Sequence, residues 1–223
     1  MSAAGAAPAA TSTTIHASFQ PQRLGARTAL TLAIRLAGGA GETPAPVRRI
    51  ALHLPAGLGI GLHGSSNCPL ARLRSRGAAG CPRASLVGRG HAQLEVHAGS
   101  QTIPEQAILS AFLIPSSSGS AALAILGVGN TPLRESTIST AILHGDSAPY
   151  GSQLAISIPA IPTLVYEPDA SFDSLTLRIG GSDTPSAKIL VPRRCRTGGF
   201  AFAADVTFVD GSSGHAATAV RCR

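Results

Sequence analysis

Four cysteines, arranged as two local pairs, place the strongest constraint on how this chain of 223 residues can fold. Twelve residues separate Cys68 from Cys81, and 26 separate Cys195 from Cys222. Zinc sites built from cysteine usually contain pairs spaced by about two to four residues, and no such pair occurs. Four cysteines allow three pairings, and we expect each cysteine to bond to its near neighbour. The alternative is four reduced, buried cysteines in a cytosolic protein.

Disulfides at these positions would close two loops and would indicate an oxidising compartment. Loop-closure entropy gives roughly 3 kcal/mol for the first loop and about 3.5 kcal/mol for the second, if neither bond is strained. The N-terminus does not itself predict export, because residues 1–10 lack the basic and leucine-rich regions of a signal peptide. We expect residues 1–13 to be a disordered lead-in rich in Ala, Pro, Ser and Thr, and the protein to be extracellular or part of the cell envelope.

Apolar and polar side chains alternate in many short segments, which is the pattern of half-buried β-strands. The clearest examples are residues 27–36 and residues 200–208, where every second side chain is apolar and would face a core. Asp210-Gly211 predicts a hairpin turn after the second of these strands, with a return strand over residues 216–222. The 25 Gly and 16 Pro punctuate the chain in the way that joins many short strands by turns.

One short helix is predicted inside the first cysteine pair, over residues 69–76. Pro69 would occupy its first position, where the missing N–H costs little, and Gly77 would provide a left-handed exit. Asn67 or Cys68 would then cap the N-terminus. A helix of two turns does not persist alone in water, so the disulfide and the packing of its leucines must hold it.

Composition and periodicity together predict one all-β domain over residues 14–223. Hydrophobic residues make up 44% of the chain and charged residues 13%, against about 25% charged in an average globular protein. Such a chain can bury a large core, and no run of 18 apolar residues predicts a transmembrane segment. We expect a two-sheet antiparallel β-sandwich of the jelly-roll or immunoglobulin-like kind, with about ten strands and one short disulfide-stapled helix.

The net charge of +7, carried by 17 Arg and one Lys against 11 acids, raises the question of an acidic partner. No run exceeds two adjacent arginines and they are dispersed over strands and loops, so the preference of a GC-rich genome for Arg codons is the favoured explanation. There is no Trp, and there are only two Tyr and six Phe. This shortage of stacking surfaces argues against nucleic acid as a partner and against an aromatic platform for sugars.

No constellation of catalytic or metal-binding residues stands out. His53 and His63, near the end of one strand, could meet His91 or His97 in space, but their spacing matches no metal motif. The Gly-Asp-Ser sequence at 145–147 resembles the nucleophile motif of GDS-type lipases, yet the residues that follow it have the composition of a turn. We therefore predict no catalytic residue, no metal ligand and no cofactor.

Three aspartates in turn-like segments are the remaining candidates for a metal. Asp169 and Asp173, and separately Asp210, could bind calcium together with loop carbonyls. Their simpler interpretation is that they stabilise turns, which needs no metal.

Several phrases of the sequence resemble a family of β-rich, exported proteins of unknown function from high-GC actinobacteria. The phrases are Leu54-Pro55-Ala56-Gly57-Leu58, Cys68-Pro69 with the block from Gly80 to Gly88, Tyr150-Gly151-Ser152-Gln153-Leu154 with Ile158-Pro159-Ala160-Ile161-Pro162, and the ending that runs from Cys195 through Gly198-Gly199-Phe200 and Asp210-Gly211 to Cys222. The resemblance covers most of residues 14–223 and implies export and disulfides, with no activity. Members of that family usually begin with a signal peptide, whereas residues 1–10 do not have the pattern of one.

The sequence thus favours a non-enzymatic extracellular or cell-envelope module with a structural or adhesive role. The first alternative is a module that binds a glycan or another cell-wall polymer, which an exposed cleft with Tyr150, Tyr166 or several histidines would favour. The second is a hydrolase, which needs Ser147 or a pair of carboxylates beside a base. A cell-wall polymer or an envelope protein is the candidate partner.

Overall fold

Almost all of the regular structure in this protein belongs to antiparallel β-strands. The computed structural model describes residues 11–39, 42–62, 64–98, 101–116, 120–131, 134–163, 169–182, 184 and 187–222. The strands are β1 (Ser12–Gln20), β2 (Arg27–Ala37), β3 (Val47–Pro55), β4 (Gly59–Gly61), β5 (Leu86–Ala98), β6 (Gln101–Ile114), β7 (Ala122–Thr131), β8 (Ser136–Gly145), β9 (Tyr150–Ser157), β10 (Ser171–Ile179), β11 (Lys188–Leu190), β12 (Phe200–Phe208) and β13 (Ser213–Val220). The all-β antiparallel class predicted from the sequence is confirmed.

The thirteen strands are hydrogen-bonded into a single sheet. Their order is β13-β12-β3-β9-β8-β7-β6-β5-β10-β2-β11-β4, with β1 paired to β2. The prediction of two separate sheets with about ten strands is not confirmed, because the ladder runs without a break from β13 to β2. Strands β5 to β9 include successive hairpins. β12 instead lies between β13 and β3, and its pairing with β3 joins segments about 150 residues apart in the sequence.

The sheet curves so that β1, the first strand of the chain, lies beside β13, the last strand of the chain. β1 contacts both β13 and β12, and the ring of Phe19 lies 5.8 Å from the rings of Phe200 and Phe202. Gly214 permits this approach, because a Cβ at that position would overlap the hydroxyl of Thr13. The inward side chains form one hydrophobic cluster that draws on strands from β1 to β13.

A second, smaller hydrophobic cluster lies on the outer face of the sheet, under helix α1 (Leu70–Arg76). Leu73 of the helix packs with the outward side chains Phe112 and Leu126, while the neighbours of Leu126 along β7 face the main core. β7 is therefore buried on both faces, which explains its nearly continuous apolar sequence. Within the described part of the chain, no helix has the length and apolar character needed to cross a membrane.

The helix agrees with the prediction at its C-terminus and differs from it at its N-terminus. Gly77 ends the helix with φ of 59°, as predicted. The N-cap is Pro69, with no side-chain hydrogen bond, so neither Asn67 nor Cys68 caps it as predicted. Two short 3-10 turns, at Ala78–Gly80 and Arg83–Ser85, complete the loop that leads to β5.

Several predicted boundaries shift. β1 begins at Ser12, so the lead-in predicted for residues 1–13 ends earlier, and residues 1–10 of it lie outside the described residues. β5 is one strand despite Gly88 and Gly90. The three-residue strands β4 and β11 were not predicted, because they are too short to show alternation.

Candidate functional site

Both predicted disulfides are present, and each fastens a loop to the sheet. Cys68 and Cys81 are bonded with Cα atoms 5.2 Å apart, and Cys195 and Cys222 with Cα atoms 6.0 Å apart. The first bond secures α1 over the outer cluster, where Cys68 is wholly buried. The second joins the segment before β12 to the end of β13. Gly198 and Gly199, with φ near 90°, turn the chain between them as the sequence predicts.

A chain of histidines and aspartates crosses the outer face of the sheet where β3, β12 and β13 are neighbours. His53 is outward on β3 because the residues on either side of it, Leu52 and Leu54, are buried in the core. Asp205 is outward on β12 and lies directly opposite His215 of β13. The turn between β8 and β9 brings Asp146 to the other side of His53.

The distances are those of short hydrogen bonds. His53 Nδ1 lies 2.6 Å from Asp146 Oδ2, and its Nε2 lies 2.8 Å from Asp205 Oδ2. The other oxygen of Asp205, Oδ1, lies 2.6 Å from Nδ1 of His215. The side chains of His53 and Asp146 are 13% and 12% exposed, against 52% for Asp205 and 64% for His215. The network therefore runs from a half-buried pair out to solvent.

The geometry favours the cationic form of His53. Each ring nitrogen faces a carboxylate oxygen, and only the imidazolium form can donate from both nitrogens. Burial lowers the pKa of His53, but the hydrogen bonds and charges of Asp146 and Asp205 outweigh it and raise the pKa above its ordinary value. For Asp205, burial raises the pKa, but the hydrogen bonds from His215 and His53 lower it by more. The pKa of Asp205 is therefore below its ordinary value. Both shifts favour the charged pair.

Tyr150 packs against this cation. Its ring centroid is 4.9 Å from that of His53, with the planes tilted by 41°. A cation within about 6 Å of an aromatic centroid gains from the ring's quadrupole. The half-buried Tyr150 is thus committed to His53 and does not form an open stacking surface for a sugar. Tyr166 lies outside the described residues.

The same network bears on the Gly-Asp-Ser motif. Ser147 follows Asp146 in the turn, and its backbone N–H donates to Asp146 Oδ1 at 2.8 Å. Asp146 holds His53 in the way that a triad aspartate holds its histidine. The outer nitrogen of His53, however, is bonded to Asp205 rather than to a hydroxyl. In this arrangement His53 has no free lone pair with which to accept a proton from Ser147.

The structure does not bring His53 together with His91 or His97, a grouping that the sequence left open. His91 and His97 lie on β5, five strands away from β3 in the hydrogen-bonded order, which is about 24 Å along the sheet. His63 lies outside the described residues. Among the residues that are described, no cluster of three or more His, Cys, Asp or Glu has the geometry to hold a metal ion.

The three aspartates considered for calcium have separate environments. Asp210 is a turn residue, as expected: its Oδ1 accepts hydrogen bonds from the backbone and hydroxyl of Ser212, which lower its pKa. Asp173 is not in a turn but at a bulge of β10, where burial and then the charge of Glu95 raise its pKa. Asp169 precedes β10 in an irregular segment.

The structure contains small cavities inside the core and open grooves at the surface, including one groove beside each disulfide. The first cavity, about 60 Å³, lies among core side chains such as Ile50, Leu109 and Phe172. It has room for a few water molecules but is far below the roughly 300–1,000 Å³ of typical ligand pockets. The groove beside the second disulfide is about 520 Å³, and the groove beside the first, which Arg72 and Arg76 line, is about 430 Å³.

Arginines line one wall of the groove, next to the second disulfide. They are Arg193, Arg194 and Arg196, and the neighbouring wall is formed by Gly25, Ala56, Gly57 and Gly59. Sequence reasoning missed this site, because it weighed the arginines by the length of their runs. The local signal is the dense Arg-Arg-Cys-Arg sequence at 193–196, in which the cysteine fixes the position of its neighbours.

Comparison of the chain with protein-family models and with curated proteins finds no match. The argument for function therefore rests on the geometry described above.

Proposed function

We propose that this protein is a non-enzymatic module of the extracellular space or the cell envelope, with a structural or adhesive role. The observation that carries the proposal is the pair of disulfides, which close loops with sequence separations of 13 and 27 residues. Disulfides of this kind form and persist in oxidising compartments. They strengthen the two places where the sheet itself gives least support, the outer helix and the segment before β12.

The His53 network supports the non-enzymatic part of the proposal. A general base needs a free lone pair, whereas both nitrogens of His53 donate to carboxylates. An imidazolium held between two aspartates instead ties β3, β12 and the β8–β9 turn together. We interpret the network as a structural clamp, and we place a hydrolase using Ser147 third among the candidate functions.

A module that binds a cell-wall polymer is the second candidate, and the arginine groove favours it. The groove is open, concave and large enough for part of a polymer chain. Tyr150 does not favour a neutral sugar, because it packs on His53.

Protease treatment of intact source cells tests the proposed location. We expect an antibody to detect the chain in the medium, or on cells from which an added, non-penetrating protease removes it. A cytosolic marker protein should survive the same treatment and serves as the control. Recovery of the chain only from the cytosolic fraction, protected until the cells are lysed, would contradict the proposal.

A further inference from the structure

The arginine groove has two unlike walls. Gly25, Ala56, Gly57 and Gly59 form one wall, and none of them carries a side chain larger than a methyl group. Gly25 and Gly57 have φ of 68° and 82°, a conformation that strongly favours glycine, so this wall stays bare for a conformational reason. The other wall, residues 190–194 with Arg196, carries all the long side chains. A ligand in the groove would therefore meet bare backbone beside the guanidinium groups.

The charge in the groove is unbalanced. Arg193, Arg194 and Arg196 are all exposed, and the groove's lining includes no carboxylate. The salt bridges found among the described residues join histidines to aspartates and leave these three arginines out. Guanidinium groups bind phosphate and carboxylate oxygens through paired N–H donors, so an oxyanion is the natural complement of this wall.

The arginines are carried on a segment that is anchored at both ends. Before them, the backbone of Val191 exchanges hydrogen bonds with the neighbouring Gly25 and Ala26, at 3.2 and 3.0 Å. Between Arg194 and Arg196, Cys195 is bonded to Cys222. Anchoring lowers the entropy lost when the charges engage a ligand, which raises affinity without new contacts.

The chemistry of the lining selects among anionic ligands. An exposed arginine gains little from one small anion in water, whereas a chain of anions engages several arginines at once and releases counterions. Single-stranded nucleic acid and sugar rings are both bound by stacking on aromatic surfaces, and the groove's lining has none. Apart from arginine it offers only Gly, Ala, Leu, Val and Pro, with no side-chain acceptor for the hydroxyls of a uronic acid. A polymer whose charge lies in its own backbone fits these properties best.

We infer that this groove binds a phosphodiester-linked polymer of the cell envelope, with Arg193, Arg194 and Arg196 contacting successive phosphates. The inference deepens the proposed extracellular function and rests on it for the polymer's location. The binding chemistry itself stands on the groove alone.

Fluorescence anisotropy with a labelled poly(glycerol phosphate) chain tests the inference. Binding should weaken between about 50 mM and about 200 mM salt, with a logarithmic slope near −2 for three phosphate contacts. The variant R193Q/R194Q/R196Q should bind at least about ten-fold more weakly and lose most of that slope.

A matched control separates the groove from overall charge. The variant R35Q/R48Q/R49Q loses the same three positive charges from exposed positions of β2 and β3 that line neither surface groove, and it should bind the probe like the parent protein. Both variants change exposed side chains, and an unchanged melting temperature confirms that each is folded. Equal losses in the two variants would overturn the inference, since they would show attraction to net charge alone.

Competing polymers complete the test. Polygalacturonate, which carries carboxylates on sugar rings, and a thymidine oligonucleotide should each bind more weakly than poly(glycerol phosphate). Tighter binding of either, or no binding of poly(glycerol phosphate), would overturn the inference. None of these outcomes bears on where the protein resides, which the protease experiment on intact cells measures independently.

Discussion

Replacing His53 with glutamine should destabilise the protein well beyond the effect of an ordinary surface change. The variant loses two hydrogen bonds between charged groups, each worth about 1.5–3 kcal/mol. It also loses the contact of the cation with Tyr150, worth about 0.5–1 kcal/mol. Asp205 is half exposed, so its share must be discounted for solvent screening. We expect a net loss of about 2–4 kcal/mol in the free energy of unfolding, measured by urea denaturation near pH 5.5.

The loss should depend on pH, with a defined sign. The pKa of His53 is raised in the folded state, so its protonation stabilises the fold fully below the unfolded value of about 6.5. That contribution disappears as the pH rises through the folded pKa. The difference in stability between the parent and H53Q should therefore be smaller near pH 9 than near pH 5.5. Asp205 has a lowered pKa, so its contribution is lost only as the pH falls below its ordinary value of 3.8.

His215 provides the matched control, since it too is bonded to Asp205 but is 64% exposed. H215Q should cost under about 1 kcal/mol. A cost for H53Q that equals that of H215Q, or that is the same at both pH values, would refute the assignment of His53 as a clamped cation.

Two further predictions concern backbone packing and the first disulfide. G90A should lower the free energy of unfolding by about 1–3 kcal/mol, because a Cβ there overlaps the carbonyl oxygen of Thr176 on β10. G145A has open space around its Cβ and should change the free energy of unfolding by less than about 0.5 kcal/mol. Urea denaturation measures both variants, and equal effects would contradict the packing described. The double variant C68S/C81S should lose about 3 kcal/mol and expose the arginines of α1 to trypsin. Unchanged cleavage at the helix would show that the outer cluster, rather than the disulfide, holds it in place.

Alternation along the sequence was enough to predict most strands, because most strands of this curved sheet bury only one face. The pairing of Cys195 with Cys222 could also be predicted, since Gly198 and Gly199 turn the chain and the hairpin that follows returns it toward Cys222. The number of sheets could not be predicted, because it depends on which distant strands share hydrogen bonds. Nothing local to β12 indicates that it lies between β13 and β3.

The candidate sites divide in the same way. The residues bonded to His53 lie 93 and 152 positions from it, so no spacing rule could connect them. His53 does not lie beside His91 or His97, because proximity across a sheet follows strand order, and β3 and β5 are far apart in that order. The arginines of the groove were visible as residues, but the neighbouring wall, contributed by Gly25, Ala56, Gly57 and Gly59, was not.

Cysteine mapping by mass spectrometry, on protein recovered from its natural source without reducing agent, tests the central claim most directly. Trypsin separates Cys68 from Cys81 at the arginines of α1, and cleavage after phenylalanine separates Cys195 from Cys222 within β12. The account predicts two linked peptide pairs, Cys68 with Cys81 and Cys195 with Cys222. Four cysteines that react with an alkylating agent before reduction would contradict it.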